Sequence, residues 1–253
     1  MIGSIIGDMV GSRFEFNNHR STDFDFFHPD CTYTDDTVMT IAVADAILGG
    51  RPFGEVLHEY GRKYSGRGYG SRFFNWLIST NPKPYDSFGN GSAMRVSPCA
   101  LLSNGNRERA LTLAASSAVC THNHPEGIKG ALATVDCILM AADRCPKEAI
   151  RSHVVSLYGY DMDFTIDALR PGYRFNETCQ GSVPQAIEAF LESHDFESAI
   201  RIAVSLGGDS DTIACIAGGM AEAYYGVPEE MKAAAMALLP QELRSVVERM
   251  YAA

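Results

Sequence analysis

TVMTIAVADAIL, residues 37–48, sets Met39, Ala42, Val43, Ala46 and Ile47 at i, i+3, i+4, i+7 and i+8, so one face of the segment is apolar along a helix. IACIAGGMAEAYYG, residues 213–226, does the same with Ile213, Ile216, Ala217, Met220, Ala221 and Tyr224. Its stop is explicit: Gly226 can turn left-handed, and Pro228 cannot continue a helix. Further helical patterns cover about 107–120, 126–143, 146–158, 183–192, 195–206, 229–238 and 241–251. Alternating runs closed by hairpin turns are missing. The expected fold is all-α, a compact multi-helix bundle.

Glycine refines this picture. Gly3, Gly7 and Gly11 recur every fourth residue in the first helical segment, and Gly218 and Gly219 lie inside a late one. Each costs up to ~1 kcal/mol relative to alanine within a helix, and close helix–helix approach is the expected compensation. Irregular stretches are expected over 13–33, 64–92 and 159–182. The segment RKYSGRGYGSRFFNWLISTNPKPYDSFGNGSAMR, residues 62–95, is too aromatic for disorder and is expected to line a pocket.

The 253 residues are 46% hydrophobic, enough for a sizeable core, and no linker or low-complexity block divides them. One domain over 1–253 is expected. The apolar start carries no basic leader and has Asp8 early, which argues against a secretory signal. No apolar run approaches the ~18 residues of a membrane span. Seven scattered cysteines, never spaced CxxC, argue against structural zinc and a disulfide framework and for the reducing cytoplasm. A net charge of −10 excludes broad nucleic-acid binding, which needs clustered Lys and Arg. A monomer is expected.

Solubility accounts for most of that charge, but some of the acids fall in two tight clusters. Tyr33-Thr34-Asp35-Asp36-Thr37 precedes one amphipathic helix, and Gly207-Gly208-Asp209-Ser210-Asp211-Thr212 precedes another. Either alone reads as helix capping, with Thr34 as N-cap and acids favoured by the helix dipole. Together they supply four carboxylates and two threonine hydroxyls at two helix mouths. Carboxylates ~4 Å apart repel by ~4 kcal/mol per pair at an effective dielectric near 20. Hard divalent cations offset that repulsion and prefer oxygen ligands, so two Mg²⁺ ions, with Mn²⁺ as the alternative, suit this set better than zinc.

Three further features accompany the clusters. Asp8 and Glu15 flank the end of the first helix, Asp8 as a surface or site acid and Glu15 as a loop or site acid. Ser87-Phe88-Gly89-Asn90-Gly91 leads into a helix and suits a phosphate, with a plain turn as the alternative. Thr121-His122-Asn123-His124-Pro125 reads as a metal site or as capping. No nucleophile elbow, Walker loop or GxGxxG stands at a strand–helix junction.

These motifs, GSIIGDMVGSRFE, YTDDTVMT, SFGNGSAMRVSP, THNHPEGIKGA, SVPQAI and GGDSDTIACIAGGMAEAYYG, together span nearly the whole chain. In this order the chain resembles the ADP-ribosylglycohydrolase family, which includes the dinitrogenase reductase-activating glycohydrolases. The resemblance implies a binuclear magnesium or manganese site in a central cleft and release of ADP-ribose from a modified protein or small conjugate. Carried over by position, it implies Thr34, Asp35, Asp36, Asp209, Asp211 and Thr212 as metal ligands. Glu15, expected outside both clusters, or Asp36 would accept the proton of the attacking water. Ser87, Gly89, Asn90 and Gly91 would hold the diphosphate with His122 nearby, and Phe88 would contact adenosine. SFGN at 87–90, Glu15 and GGDSDTIA look closer to the ADP-ribosyl-serine and O-acetyl-ADP-ribose type than to the arginine type. The competing readings are another two-metal nucleotide hydrolase or phosphatase, and a non-catalytic, crystallin-like structural protein.

Overall fold

A computed structural model describes residues 1–253. Its helices run in order α1 (Ile2–Gly11), α2 (Asp35–Gly49), α3 (Phe53–Lys63), α4 (Ser71–Ile78), α5 (Gly91–Met94), α6 (Ser97–Leu101), α7 (Arg107–Val119) and α8 (Pro125–Ala142). They continue as α9 (Lys147–His153), α10 (Ile166–Leu169), α11 (Cys179–Glu192), α12 (Phe196–Leu206), α13 (Ser210–Tyr225), α14 (Glu229–Leu238) and α15 (Gln241–Ala252). A 3₁₀ turn over Ser12–Phe14 prolongs α1, and a π-helical turn over Val154–Tyr158 prolongs α9. There is no strand; a lone antiparallel bridge joins Gly89 to Thr178. The fold is the all-α bundle that the periodicity called for.

Two helices form its axis. Every residue of α1 is buried, as is α13 from Ser210 to Ala221. They touch backbone to backbone. A Cβ on Gly3 would run into the Gly218 carbonyl, one on Gly7 into the backbone of Ala214 and Cys215, and one on Gly11 would stand 2.5 Å from the Asp211 Cα. The glycine spacing therefore lets the two helices approach to where no side chain fits. Around this pair pack α2, α8, α11 and α12, and one contiguous cluster of 68 buried hydrophobic residues runs through the whole bundle.

Boundaries mostly match their sequence signals. Gly226 ends α13 with φ of 81°. Several elements differ, among them the short α6 and α10, the latter inside the stretch 159–182 expected to be irregular. The stretch 64–92, expected to be irregular, contains α4, where Phe73, Trp76 and Leu77 turn inward at helical spacing among flanking glycines. Helix α3, which buries Val56, Leu57 and Tyr60, carries the charged Glu55, Glu59, Arg62 and Lys63, which obscure its short apolar stripe. Helix α11 begins at Cys179 rather than 183, because Pro184 sits inside it instead of opening it. Thr178 is the N-cap: its hydroxyl accepts from Gly181 N–H at 3.1 Å, and its carbonyl takes the Ser182 hydroxyl at 2.6 Å.

The glycine contact makes a sharp prediction. Gly7→Ala forces a methyl group onto the α13 backbone and should cost ~3 kcal/mol or more, an overpacking cost, lowering Tm by roughly 6–12 °C. Gly54→Ala, whose Cβ would meet only the Cys120 side chain at 3.5 Å, is the control and should be neutral or stabilising. Equal melting temperatures for the two variants would show that α1 and α13 are free to separate.

Candidate active site

Both acidic clusters sit at helix N-termini that α1 holds together. Thr34 is the N-cap of α2, its hydroxyl accepting from Asp36 N–H at 3.3 Å. The same hydroxyl donates to Asp8 Oδ1 at 2.6 Å, while Asp8 Oδ2 accepts from the N–H groups of Thr34 at 2.9 Å and Thr37 at 3.0 Å. Asp8 is not a surface acid. It is fully buried on α1 and clamps the first turn of α2. Its signal was its place beside Gly7, on a helix whose contact side the glycines mark.

The second cluster rests on a glycine turn. Gly207 and Gly208 have φ of 76° and 72°, a region that residues with a Cβ rarely enter, and this lets α12 hand over to α13. Asn18 pins the turn. Its Oδ1 accepts from Gly208 N–H at 2.8 Å, and its amide donates to the carbonyl of Glu15 at 3.0 Å. No sequence signal marked Asn18, since it acts across 190 residues. Thr212 then joins the clusters, its hydroxyl donating to Asp36 Oδ2 at 3.1 Å.

The outcome is two sets of carboxylates. Oxygens of Asp8, Asp36 and Asp211 lie within 4.8 Å of one another, as do those of Glu15, Asp209 and Asp211. Glu15, expected outside both clusters, belongs to the second set because Asn18 draws its backbone toward Gly208. Burial, then mutual repulsion, drives Asp35, Asp36 and Asp211 well above the ordinary carboxylate range. Burial also raises Asp8 and Asp209, against the pull of their hydrogen bonds from threonines and from Asn90. Glu15 is pushed up to about 7 by burial, then by Asp209 and Asp8. Asp36 Oδ1 is buried without a partner.

An open cleft stands over this floor. Asp35, Asp36, Asp209, Asp211 and Thr212 line it with Glu15, while Thr34 lies beneath, turned to Asp8. Ser87, Gly89, Asn90, Gly91 and His122 form one wall, so the sequence-derived residues do converge. The segment 62–95 supplies Gly68, Gly70–Phe73 and Tyr85 as well, as its composition suggested. Phe88 departs from expectation. It is 41% exposed, lies edge-on to His124 with centroids 5.2 Å apart, and does not line the cleft. The aromatic side chains that do are Phe73, Tyr85 and Phe175, none singled out from sequence.

The glycine loop is also less open than its sequence suggests. Gly89 N–H donates to the Ser87 hydroxyl at 3.1 Å, and Asn90 N–H donates to the Glu177 carbonyl at 2.8 Å. The Asn90 amide donates to Asp209 Oδ2 at 2.6 Å, which ties this wall to the acids. His122 is buried and held well below its usual pKa by burial, then by Arg95 and Arg72, so its ring is neutral. Its Nδ1 lies 2.7 Å from the Thr121 hydroxyl, and its Nε2 faces Gly91. His124 caps α8, accepting from Glu126 N–H at 3.1 Å.

Fold and site together define an all-α protein whose axial helices meet at a buried carboxylate centre under an open cleft. The family model of ADP-ribosylglycohydrolase matches residues 1–253, and the chain belongs to that family. It is 28% identical to ADP-ribosylhydrolase ARH3 of Danio rerio, over 90% of this chain and 82% of that protein. It is 25% identical to ADP-ribosylarginine hydrolase Tri1 of Pseudomonas putida, over 90% of this chain and 70% of that one. A solved structure described as an ADP-ribosylglycohydrolase-related protein complex superposes with a TM-score of 0.71 at 23% identity, covering 99% of this chain and 94% of its own.

The raised acids predict an unusual pH dependence. Glu15 binds a proton more tightly folded than unfolded, so its contribution to stability falls as pH rises from the unfolded value of 4.5 to about 7. In excess chelator, Tm should therefore rise on acidification from about pH 7.5 to about pH 5.5, and less steeply in Glu15→Gln. A flat or opposite profile in chelator would contradict the crowded, unneutralised cluster.

Proposed function

We propose that the protein is a metal-dependent hydrolase that releases ADP-ribose from a modified side chain or small conjugate, acting in the cytoplasm. The observation that carries this reading is the pair of carboxylate sets, with an orphaned Asp36 oxygen and pKa values driven upward. Charge so concentrated calls for divalent cations, and an all-oxygen donor set suits magnesium or manganese. Thr34, Asp35, Asp36, Asp209, Asp211 and Thr212 would hold two such ions. When bound, they would supply positive charge that orients the ribose hydroxyls and makes the attacking water more acidic.

The chain's own residues do the rest. Glu15, half-buried at the cleft with a pKa of about 7, can accept a proton from an attacking water near neutrality. Asp36, the other candidate base, is buried and bonded to Thr212, which suits a ligand better. Water attacks the anomeric carbon of the ribose and gives a proton to Glu15, the bond to the acceptor breaks, and the acceptor oxygen takes up a proton as it leaves while the anomeric carbon keeps the hydroxyl. Asn90 holds Asp209 in place, and neutral His122 can hydrogen-bond a phosphate oxygen through Nε2. On the acceptor, we favour ADP-ribosyl-serine or O-acetyl-ADP-ribose over ADP-ribosyl-arginine. The SFGN stretch at 87–90, Glu15 and GGDSDTIA, which look closer to the serine and O-acetyl type, support this.

Chelation should abolish turnover of ADP-ribosyl-serine, and Mg²⁺ or Mn²⁺ should restore it. Thermal stability should rise by ~2.7 kcal/mol at a hundredfold excess of metal over its Kd. Full activity after exhaustive chelation would end the proposal. Separately, Glu15→Gln should lower turnover by ~10²–10⁴ while ADP-ribose still binds, and Asp211→Ala should lose metal and turnover together. If calorimetry shows Glu15→Gln losing metal as Asp211→Ala does, Glu15 is a ligand and not the base.

A further inference from the structure

A second cavity opens on the far side of Arg72 and Tyr85, bounded also by Asn75, Trp76, Ser79 and Lys83. Arg72 and Tyr85 line the main cleft too, so the two spaces share a wall. No carboxylate reaches the second cavity, although the chain's net charge is −10. Its two cations are unneutralised. Arg72 donates one Nη to the Tyr85 carbonyl and lies 5.1 Å from the centroid of that ring. Neither it nor Lys83 pairs with a carboxylate, so both charges are free to meet an anion. The Asn75 amide adds neutral donors, and the Ser79 hydroxyl, which accepts from Asn81 N–H at 3.2 Å, still has its own proton to donate.

A fork-shaped guanidinium, a free ammonium, an amide and a hydroxyl together suit a phosphate dianion. The cavity's place decides which phosphate. On the reading of the cleft given above, the scissile ribose lies over the acids and the diphosphate near His122. The adenosine end then points away from the acids, toward Tyr85, whose ring centroid lies 6.0 Å from that of His122. Beyond Tyr85 lies the second cavity.

We propose that this cavity is an anion subsite for a phosphate monoester on the adenosine ribose, so that the protein binds 2′-phosphorylated ADP-ribose more tightly than ADP-ribose. The inference rests on ADP-ribose occupying the main cleft. Lys83 carries the discrimination, because it borders the second cavity alone. Arg72 serves both spaces.

Calorimetric titration with ADP-ribose and with ADP-ribose 2′-phosphate tests it. The wild-type protein should prefer the phosphorylated compound by about tenfold, the scale of one charge-assisted contact. Lys83→Ala should lose that preference and leave ADP-ribose affinity within about twofold, and Lys83→Arg should keep most of it. Lys83 is exposed, so both variants should melt with the wild type. Equal wild-type affinity for the two compounds overturns the subsite and leaves the cleft assignment standing. A preference unchanged in Lys83→Ala places the phosphate elsewhere and overturns it too. If neither compound binds, the reading of the cleft falls and takes the subsite with it.

Discussion

The contact between α1 and α13 is made of backbone, and the rest of the molecule is arranged around it. Gly3, Gly7 and Gly11 leave no side chain between the helices, and Gly218 answers Gly3 from the other side. The Ser210 hydroxyl donates to the Gly11 carbonyl at 3.1 Å where the pair ends. The last turn of α1 and the first turn of α13 are thereby pressed together. That end is where the acids collect. A wider helix spacing would set Asp8 and Asp211 apart and relieve the repulsion between them.

Holding these acids together works against stability, and the structure shows where the opposition comes from. Asp8 accepts three hydrogen bonds and Asp209 one from Asn90, and such bonds favour the charged forms. They do not suffice, since burial still raises both groups. Asp35, Asp36 and Asp211 are driven further still. Strained electrostatics of this kind cluster at functional sites. The cost resides in a centre locked by the backbone contact of α1 and α13, which is what keeps the acids from moving apart.

The cleft above divides by charge. Acids form the floor, while Arg72, Arg95 and a neutral His122 stand on the walls. Arg95 is almost wholly buried, and its guanidinium donates to the Ser117 carbonyl at 2.6 Å and the Thr121 hydroxyl at 2.9 Å. The Arg67 guanidinium lies 3.8 Å from the Tyr33 ring centroid, and its carbonyl accepts from Asp35 N–H at 2.8 Å, which sews the glycine-rich segment to the first acid cluster. A ligand negative at its centre and sugar-like at one end matches that division.

Helix periodicity, the Gly226–Pro228 stop and the two acid-rich helix mouths were legible from residues alone, because each is a local signal within one or two turns. The four-residue glycine spacing announced a close helix contact for the same reason. The partner in that contact was not legible, nor was the clamp of Asn18 on Gly208 or the placement of Glu15 beside Asp209. Each joins positions far apart in the chain, and nothing within a few residues encodes them. Phe88 shows the converse: its motif position suggested the cleft, but packing against His124 turned it to the rim and left Tyr85 in place. The sequence by itself determined which acids gather at the openings of α2 and α13. Only the tertiary structure decided which carboxylates touch, because that depends on how closely two helices approach, and here a missing Cβ sets the distance.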